Sequence, residues 1–282
     1  MAADSSKGTR RSPGSLILTF YGAYGREFGG AGSVPVAALI RLLGALGVDP
    51  PAVRSAVSRL KRRGLLTADR PGSKAAAYAP SQAARELLAD GDRRIYARPE
   101  PGDDWLLAVF SVPEELRTQR HLLRSRLARL GFGNAAPGVW IAPARLEDEA
   151  RHTLERLELE QYVDLFRGTH TGFAPTPEAV SRWWDLEGIA ALHRAFLDEQ
   201  QPVLRAWRRR RTRPPECAYR DYLLALDSWR RLPYADPGLP AALLPAGWPG
   251  RRSAEVFTGL HELLGAAAAE FVAEVRGAEE VR

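Results

Sequence analysis

The sequence predicts an α+β protein with an N-terminal winged helix-turn-helix, a central ferredoxin-like α/β sandwich and a mostly helical C-terminal domain. Three observations predict it. Residues Asp49 to Ala79, DPPAVRSAVSRLKRRGLLTADRPGSKAAAYA, read as a short basic helix running into a basic two-stranded turn. From Trp105 to Arg167, strand-length apolar runs alternate with helix-period patterns. From about Glu178 onward the pattern is helical and broken only by prolines.

The N-terminal elements follow from spacing. A polar lead over residues 1 to 14 is expected to be disordered, and a first helix from Ser15 to about Glu27 supplies Leu16, Ile17, Phe20 and Tyr21 to a small core. Ser33 and Pro35 open a second helix whose stripe is Val36, Leu39, Ile40, Leu43 and Leu46, ending at Gly47. Only Gly47, Val48 and Asp49 precede the third helix, matching the short Gly-containing turn of a helix-turn-helix. Asp49 is a good N-cap and Pro50 or Pro51 fits the first turn. Val53, Ala56, Val57 and Leu60 then fall at i, i+3, i+4 and i+7, while Arg54, Ser55, Ser58, Arg59, Lys61 and Arg62 take the other face. Gly64 stops the helix. Leu65 to Arg70 and Ala75 to Ala79 are short strands joined by the turn residues Pro71 to Lys74. The Gly-rich stretch Gly29 to Gly32 follows a helix and is read as a loop.

Charge distribution supports a polyanionic partner. Residues 1 to 90 hold 13 Lys plus Arg against 6 Asp plus Glu, a net +7, and the other 192 residues hold 27 against 28. The excess of a +6 chain therefore lies in its first third. A phosphate backbone rewards such clustering through counterion release. Distribution carries more weight than totals here, because the only lysines are Lys7, Lys61 and Lys74 in an arginine-rich chain.

The middle region has the order strand, helix, strand, helix, strand: Trp105 to Phe110, Glu114 to Leu130, Val139 to Ala142, Leu146 to Leu157 and Gln161 to Arg167. A ferredoxin-like sandwich needs one more strand, placed near Phe132. The breaker-rich joint before it runs from Arg98 to Asp104. In the C-terminal third, helices are expected over Glu178 to Arg211, Glu216 to Arg231 and Ser253 to Arg276, with Trp183, Trp184, Trp207, Trp229 and Trp248 among them. Aromatics at this density serve core packing or line an apolar ligand pocket. The run Arg205, Arg208 to Arg211 and Arg213 is either a solvated helix end favoured by the dipole or an anion site.

Composition bounds the alternatives. A chain of 282 residues with 45% apolar and 26% charged residues is ordinary globular protein of two or three domains. A single cysteine, Cys217, leaves no intramolecular disulfide and fits a reducing cytoplasm. No unbroken apolar run approaches the roughly 20 residues of a membrane span, so no membrane partner is expected, and no signal peptide is read at the N-terminus. The histidines His121, His152, His170, His193 and His261 have no paired ligand spacing; His152 and His193 are expected at the surface or half-buried. P-loop, dinucleotide-binding and nucleophile-elbow motifs are missing, so no enzyme, metal or cofactor is expected.

The segment Arg54 to Leu66, RSAVSRLKRRGLL, preceded by Tyr21-Gly22 and the Leu39 to Val48 helix, resembles the N-terminal domain of the PaaX family of phenylacetate-degradation repressors. Further landmarks follow in order: Arg93-Arg94-Ile95-Tyr96, Gly131-Phe132-Gly133 with Pro137 to Ile141, Trp184-Asp185-Leu186, Asp236 to Pro240, Leu243-Leu244-Pro245 and Gly247 to Gly250. The resemblance implies domains over 15–97, 98–175 and 176–282, for DNA binding, dimerisation and effector response. It implies a central domain similar to the small ferredoxin-like nucleases of CRISPR systems, which pair as dimers. Those nucleases carry a metal-binding aspartate at the end of the first strand, where this chain has Ser111. It also implies a homodimer on a palindromic operator, released by an acyl-coenzyme A such as phenylacetyl-coenzyme A.

The expected DNA contacts are Arg54, Ser55, Ser58 and Arg59 near base edges and backbone, with Lys61, Arg62, Arg70 and Lys74 on phosphates. The expected ligand contacts are Trp184, Arg205, Trp207, Arg208 and Trp229. Two competing functions are a metal-dependent nuclease built on the central domain, and an RNA-binding or scaffold protein using the basic helix.

Overall fold

Ser12 caps the first helix. The computed structural model describes residues 11–28, 32–69, 76–96, 102 and 104–280. Helix α1 (Pro13–Tyr24) starts two residues before the expected position because the Ser15 N–H bonds to the Ser12 side chain at 3.1 Å. It ends in a 3-10 turn, Gly25–Phe28. Residues 11 to 14, expected in the disordered lead, therefore belong to the fold. Val34–Pro35 is not a helix opening but a short strand, β1, and α2 (Val36–Gly44) follows directly. That entry turns the helix so that Ala38, Leu39, Leu42 and Leu43 are buried, while Val36, Ile40 and Leu46 are half-buried. Next come α3 (Pro50–Arg62), β2 (Leu66–Ala68), β3 (Ala77–Pro80) and α4 (Gln82–Tyr96). The three strands form an antiparallel sheet of order β1-β3-β2, with Val34 opposite Tyr78 and Ala68 opposite Tyr78 on the other side. The sequence reading passed over α4, which Ser81 starts by accepting from the Ala84 N–H at 3.1 Å.

The central region contains β4 (Trp105–Phe110), α5 (Arg117–Arg129), β5 (Gly133–Ala136), β6 (Val139–Pro143), α6 (Glu147–Arg156) and β7 (Val163–Gly168). Its sheet is fully antiparallel with order β5-β6-β4-β7. The extra strand sought near Phe132 is β5. One face, with Leu106, Ala108, Trp140 and Ala142, packs on Leu123 and Leu127 of α5 and Ala150 and Leu154 of α6. On the opposite face, Trp105 and Ile141 pack on Val180, Trp184 and Ile189.

Helices α7 (Thr176–Trp183) and α8 (Leu186–Arg208) replace the single helix expected from Glu178 to Arg211. Trp184 is extended, and the Asp185 carboxylate accepts the Gly188 N–H at 2.9 Å, restarting the helix. The chain continues through α9 (Pro215–Trp229), α10 (Leu232–Ala235) and α11 (Gly250–Glu280). By length and composition, Gly250–Ala278 is apolar enough to cross a membrane, a property that inspection for an unbroken apolar run misses. In the fold Phe257, Leu260, Leu264 and Val272 are buried, and Glu255, Glu262, Glu270 and Glu274 interrupt the exposed face.

The chain divides into two compact units that do not follow sequence order. One holds the residues up to Tyr96 with Glu199–Trp229 and the chain from Glu255 on; the other holds Ala97–Asp198 and Arg230–Ala254.

Candidate nucleic-acid interface

Helix α3 has the face structure that its spacing predicts. Val53, Ala56, Val57 and Leu60 are buried, and Arg54, Ser55, Ser58, Arg59, Lys61 and Arg62 are all exposed. The Asp49 carboxylate accepts the Ala52 N–H at 2.7 Å, which fixes the start of the helix. The turn before α3 and the end of α3 are built alike. Gly47 has φ 79° with Val48 N–H bonded to Leu43 O at 3.1 Å, and Gly64 has φ 68° with Leu65 N–H bonded to Leu60 O at 3.0 Å. Both are Schellman ends, whose left-handed residue glycine adopts without a Cβ penalty. They hold α3 at a defined angle to α2 and to the β2–β3 pair.

Within the exposed face, the Arg59 guanidinium donates to Ser55 Oγ at 2.7 Å, so two residues expected to meet base edges form one polar pair one helical turn apart. Arg63, which the sequence reading did not single out, is also exposed and adds a cation at the helix end. Its signal was its place in the Lys61-Arg62-Arg63 triplet. Behind α3, the buried Tyr21 hydroxyl of α1 donates to Tyr78 O of β3 at 2.6 Å; burial pushes its pKa upward, which keeps it a donor. Arg70, Lys74 and the turn from Pro71 lie outside the described residues.

The expected ligand residues are distributed differently. Trp184 is 7% exposed in the second unit and donates to Gly131 O at 3.0 Å. Its indole fills the space over Gly133, where a Cβ would come within 2.7 Å, so that position of the Gly131-Phe132-Gly133 landmark requires a glycine. Trp207, in the first unit, is 1% exposed and donates to Asp221 at 2.8 Å. Trp229, in the same unit, stacks on Phe257 with ring centroids 4.9 Å apart and donates to Ile95 O at 3.1 Å. All three are packed core indoles with bonded N–H groups. Arg205 and Arg208 are exposed, as are Arg209 to Arg211 and Arg213, and the Arg210 guanidinium lies 4.4 Å over the Trp207 ring.

His193 is 2% exposed rather than at the surface, because a partner 43 residues away neutralises the cost of burying it. Its Nε2 donates to Asp236 Oδ2 at 2.9 Å, Trp248 Nε1 reaches the same oxygen at 3.2 Å, and the Gly238 N–H reaches Oδ1 at 2.8 Å. Burial opposes the charge on Asp236, but these bonds outweigh it and hold its carboxyl below the ordinary range. A cavity of about 260 Å³ in the same unit is lined by Trp105, His170, Thr176 and Leu243 and by none of the five expected ligand residues. Ser111, at the end of β4, is exposed, and among the described residues no three His, Cys, Asp or Glu side chains group as a metal site.

Three family models match the chain in order: PaaX-like protein over residues 12–84, the PaaX protein central Cas2-like domain over 98–180, and the PaaX-like protein C-terminal domain over 184–274. The transcriptional repressor PaaX of Escherichia coli (strain K12) is 27% identical over 272 residues, covering 92% of this chain and 83% of that protein. Among solved structures, an uncharacterized protein from Mycobacterium tuberculosis superposes with a TM-score of 0.57 over 94% of this chain and 97% of the other, at 21% identity, a likeness of fold. With the same three parts in the same order over nearly its whole length, the chain belongs to the PaaX family.

Proposed function

We propose that this protein is a DNA-binding transcriptional repressor that reads a duplex operator with α3. The observation that carries the reading is the two-sided nature of α3: every apolar residue of its stripe is buried, and the opposite face is wholly polar and basic. In this reading α2, the Gly47 turn and α3 are a helix-turn-helix, and β2 and β3 are the strands of its wing. Ser55, Ser58 and Arg59 face base edges, Arg54 serves either role, and Lys61, Arg62, Arg70 and Lys74 hold phosphates. Support comes from the family and from the Escherichia coli relative, a transcriptional repressor.

The central strand-helix-strand-strand-helix-strand order is read as a ferredoxin-like domain that pairs two copies, placing two recognition helices on a palindromic site. The effector is an acyl-coenzyme A such as phenylacetyl-coenzyme A, so the protein would act in the cytoplasm on genes of phenylacetate catabolism. Of the effector residues, Arg205 and Arg208 are exposed and would meet its phosphate groups, Arg205 from a guanidinium that also donates to Gln201 at 3.1 Å. Functional division at 15–97, 98–175 and 176–282 completes the proposal.

The test is a gel-shift titration against duplex DNA, with structured RNA as competitor and a panel of coenzyme A thioesters added to the complex. Preferential binding of one duplex sequence and release by phenylacetyl-coenzyme A are expected. Equal competition by RNA would overturn the operator reading, and indifference to every thioester would overturn the effector.

A further inference from the structure

Helix α1 packs against both α3 and α9. Leu16, Ile17, Phe20, Tyr21 and Tyr24 are each 5% exposed or less. One contact is with α3, with Gly14 lying against Leu60. The other is with α9, where Tyr24 packs on Tyr219 and Tyr222 with ring centroids 6.0 and 6.5 Å apart. Near the start of α1 this second contact becomes polar. Asp227 of α9 is 1% exposed, and its Oδ1 accepts the Ser15 hydroxyl at 2.7 Å and the Thr19 hydroxyl at 2.8 Å. Arg11 Nε stands 3.8 Å from Oδ2, and the same guanidinium bonds to Ser228 Oγ at 2.6 Å and to Glu199 of α8.

Apolar contact alone lets helices slide at little cost, whereas two hydroxyls one turn apart on one carboxylate oxygen fix a single register. A buried carboxylate also penalises every arrangement that leaves it unbonded. We infer that Asp227 is a positioning residue for the reading helix: it fixes α1 on α9, and α1 fixes α3. The C-terminal helices α8 and α9 thereby set the angle at which α3 is presented. Any ligand or partner that displaces α9 alters α3 through α1 without touching the DNA-facing residues.

The functional half of this inference rests on α3 reading DNA; the mechanical half does not. The test uses the full chain as wild type, Asp227→Asn, Ser15→Ala/Thr19→Ala, and all three changes together. Hydrogen exchange of α1, α9 and α3 should accelerate by about ten- to a hundredfold in each variant, with the β4–β7 sheet unchanged. The triple variant should be no worse than the double, since the groups act as one unit. The second readout is the ratio of affinities for a duplex selected by the wild-type protein and for random duplex. It should fall about fivefold or more, with random-duplex affinity unchanged. A purely structural role scales both affinities by the folded fraction and leaves their ratio alone; that outcome, or unchanged exchange in α3, overturns the inference. If the wild-type protein selects no sequence, the operator reading fails, and exchange in α3 alone decides between a mechanical link and none.

Discussion

Helix α3 and the C-terminal third are both rich in arginine and polar side chains, yet they use them in opposite ways. On α3 the polar face points outward, and its one internal pair, Arg59 with Ser55, is itself exposed. In the C-terminal third the polar groups with the most distinctive chemistry are bonded inside the fold: Trp207 to Asp221, His193 and Trp248 to Asp236, and Ser15 and Thr19 of α1 to Asp227. Residue type therefore does not separate recognition from construction. What separates them is whether a side chain's hydrogen-bonding capacity is already taken by the protein.

The contrast breaks most visibly at Asp236. Replacing it by Ala leaves His193 and Trp248 without their buried acceptor, a loss of about 1–3 kcal/mol of stability for each unsatisfied donor, measured by denaturant unfolding. The carboxyl titrates below its ordinary value of 3.8 in the fold, so its contribution is complete above that value and disappears as pH falls through the lowered one. The variant should lack this acid-side slope. An unchanged slope would mean that other carboxylates carry it. On α3 the matching experiment moves affinity instead of stability. Arg59→Ala should cost about 1–3 kcal/mol of specific binding and, at an exposed site, less than about 0.5 kcal/mol of stability. Gel-shift and thermal unfolding on the same sample check both, and unchanged operator affinity would remove Arg59 from the reading face.

The difference between the regions also explains what the sequence revealed. The α3 stripe, its Asp49 cap and the glycines at 47 and 64 were legible because each depends on neighbours within one or two turns. The limits of β4 were legible for the same reason. His193 was misplaced because its burial depends on Asp236, and nothing within a helical turn announces that bond. The break at Trp184-Asp185 was missed because the apolar pattern continues across it, although Asp185 was a visible cap. Trp184, Trp207 and Trp229 left core packing and a ligand pocket both open, because aromatic density does not say where an indole N–H will bond. The exposed face of α3 was recoverable from its spacing; the bonding of the C-terminal residues required the tertiary structure.

A smaller effect sharpens the division of labour within α3. Lys61 stands on the exposed face as a flexible point charge, suited to a phosphate rather than a base edge. Lys61→Ala should weaken binding to operator and random duplex alike and reduce the slope of log affinity against log salt by about 0.9. Affinity titrations at several salt concentrations check this. Loss confined to the operator would transfer Lys61 to the base-reading group.

The smallest effect tests the other basic segment. Arg209 and Arg211 are exposed beyond the end of α8, whereas Arg210 is stacked on Trp207. The double change Arg209→Gln/Arg211→Gln removes two charges without opening a cavity or stripping a buried partner, so stability should stay within about 0.5 kcal/mol. If DNA is held by α3 and its following strands alone, the salt slope for duplex binding should also stay as it is. If the arginine run touches flanking phosphates, the slope should fall by about 1.8, two counterions' worth, while discrimination between operator and random duplex is retained. The salt slope thus separates two basic segments that net charge treats as equivalent, and a fall would extend the polyanion surface to both.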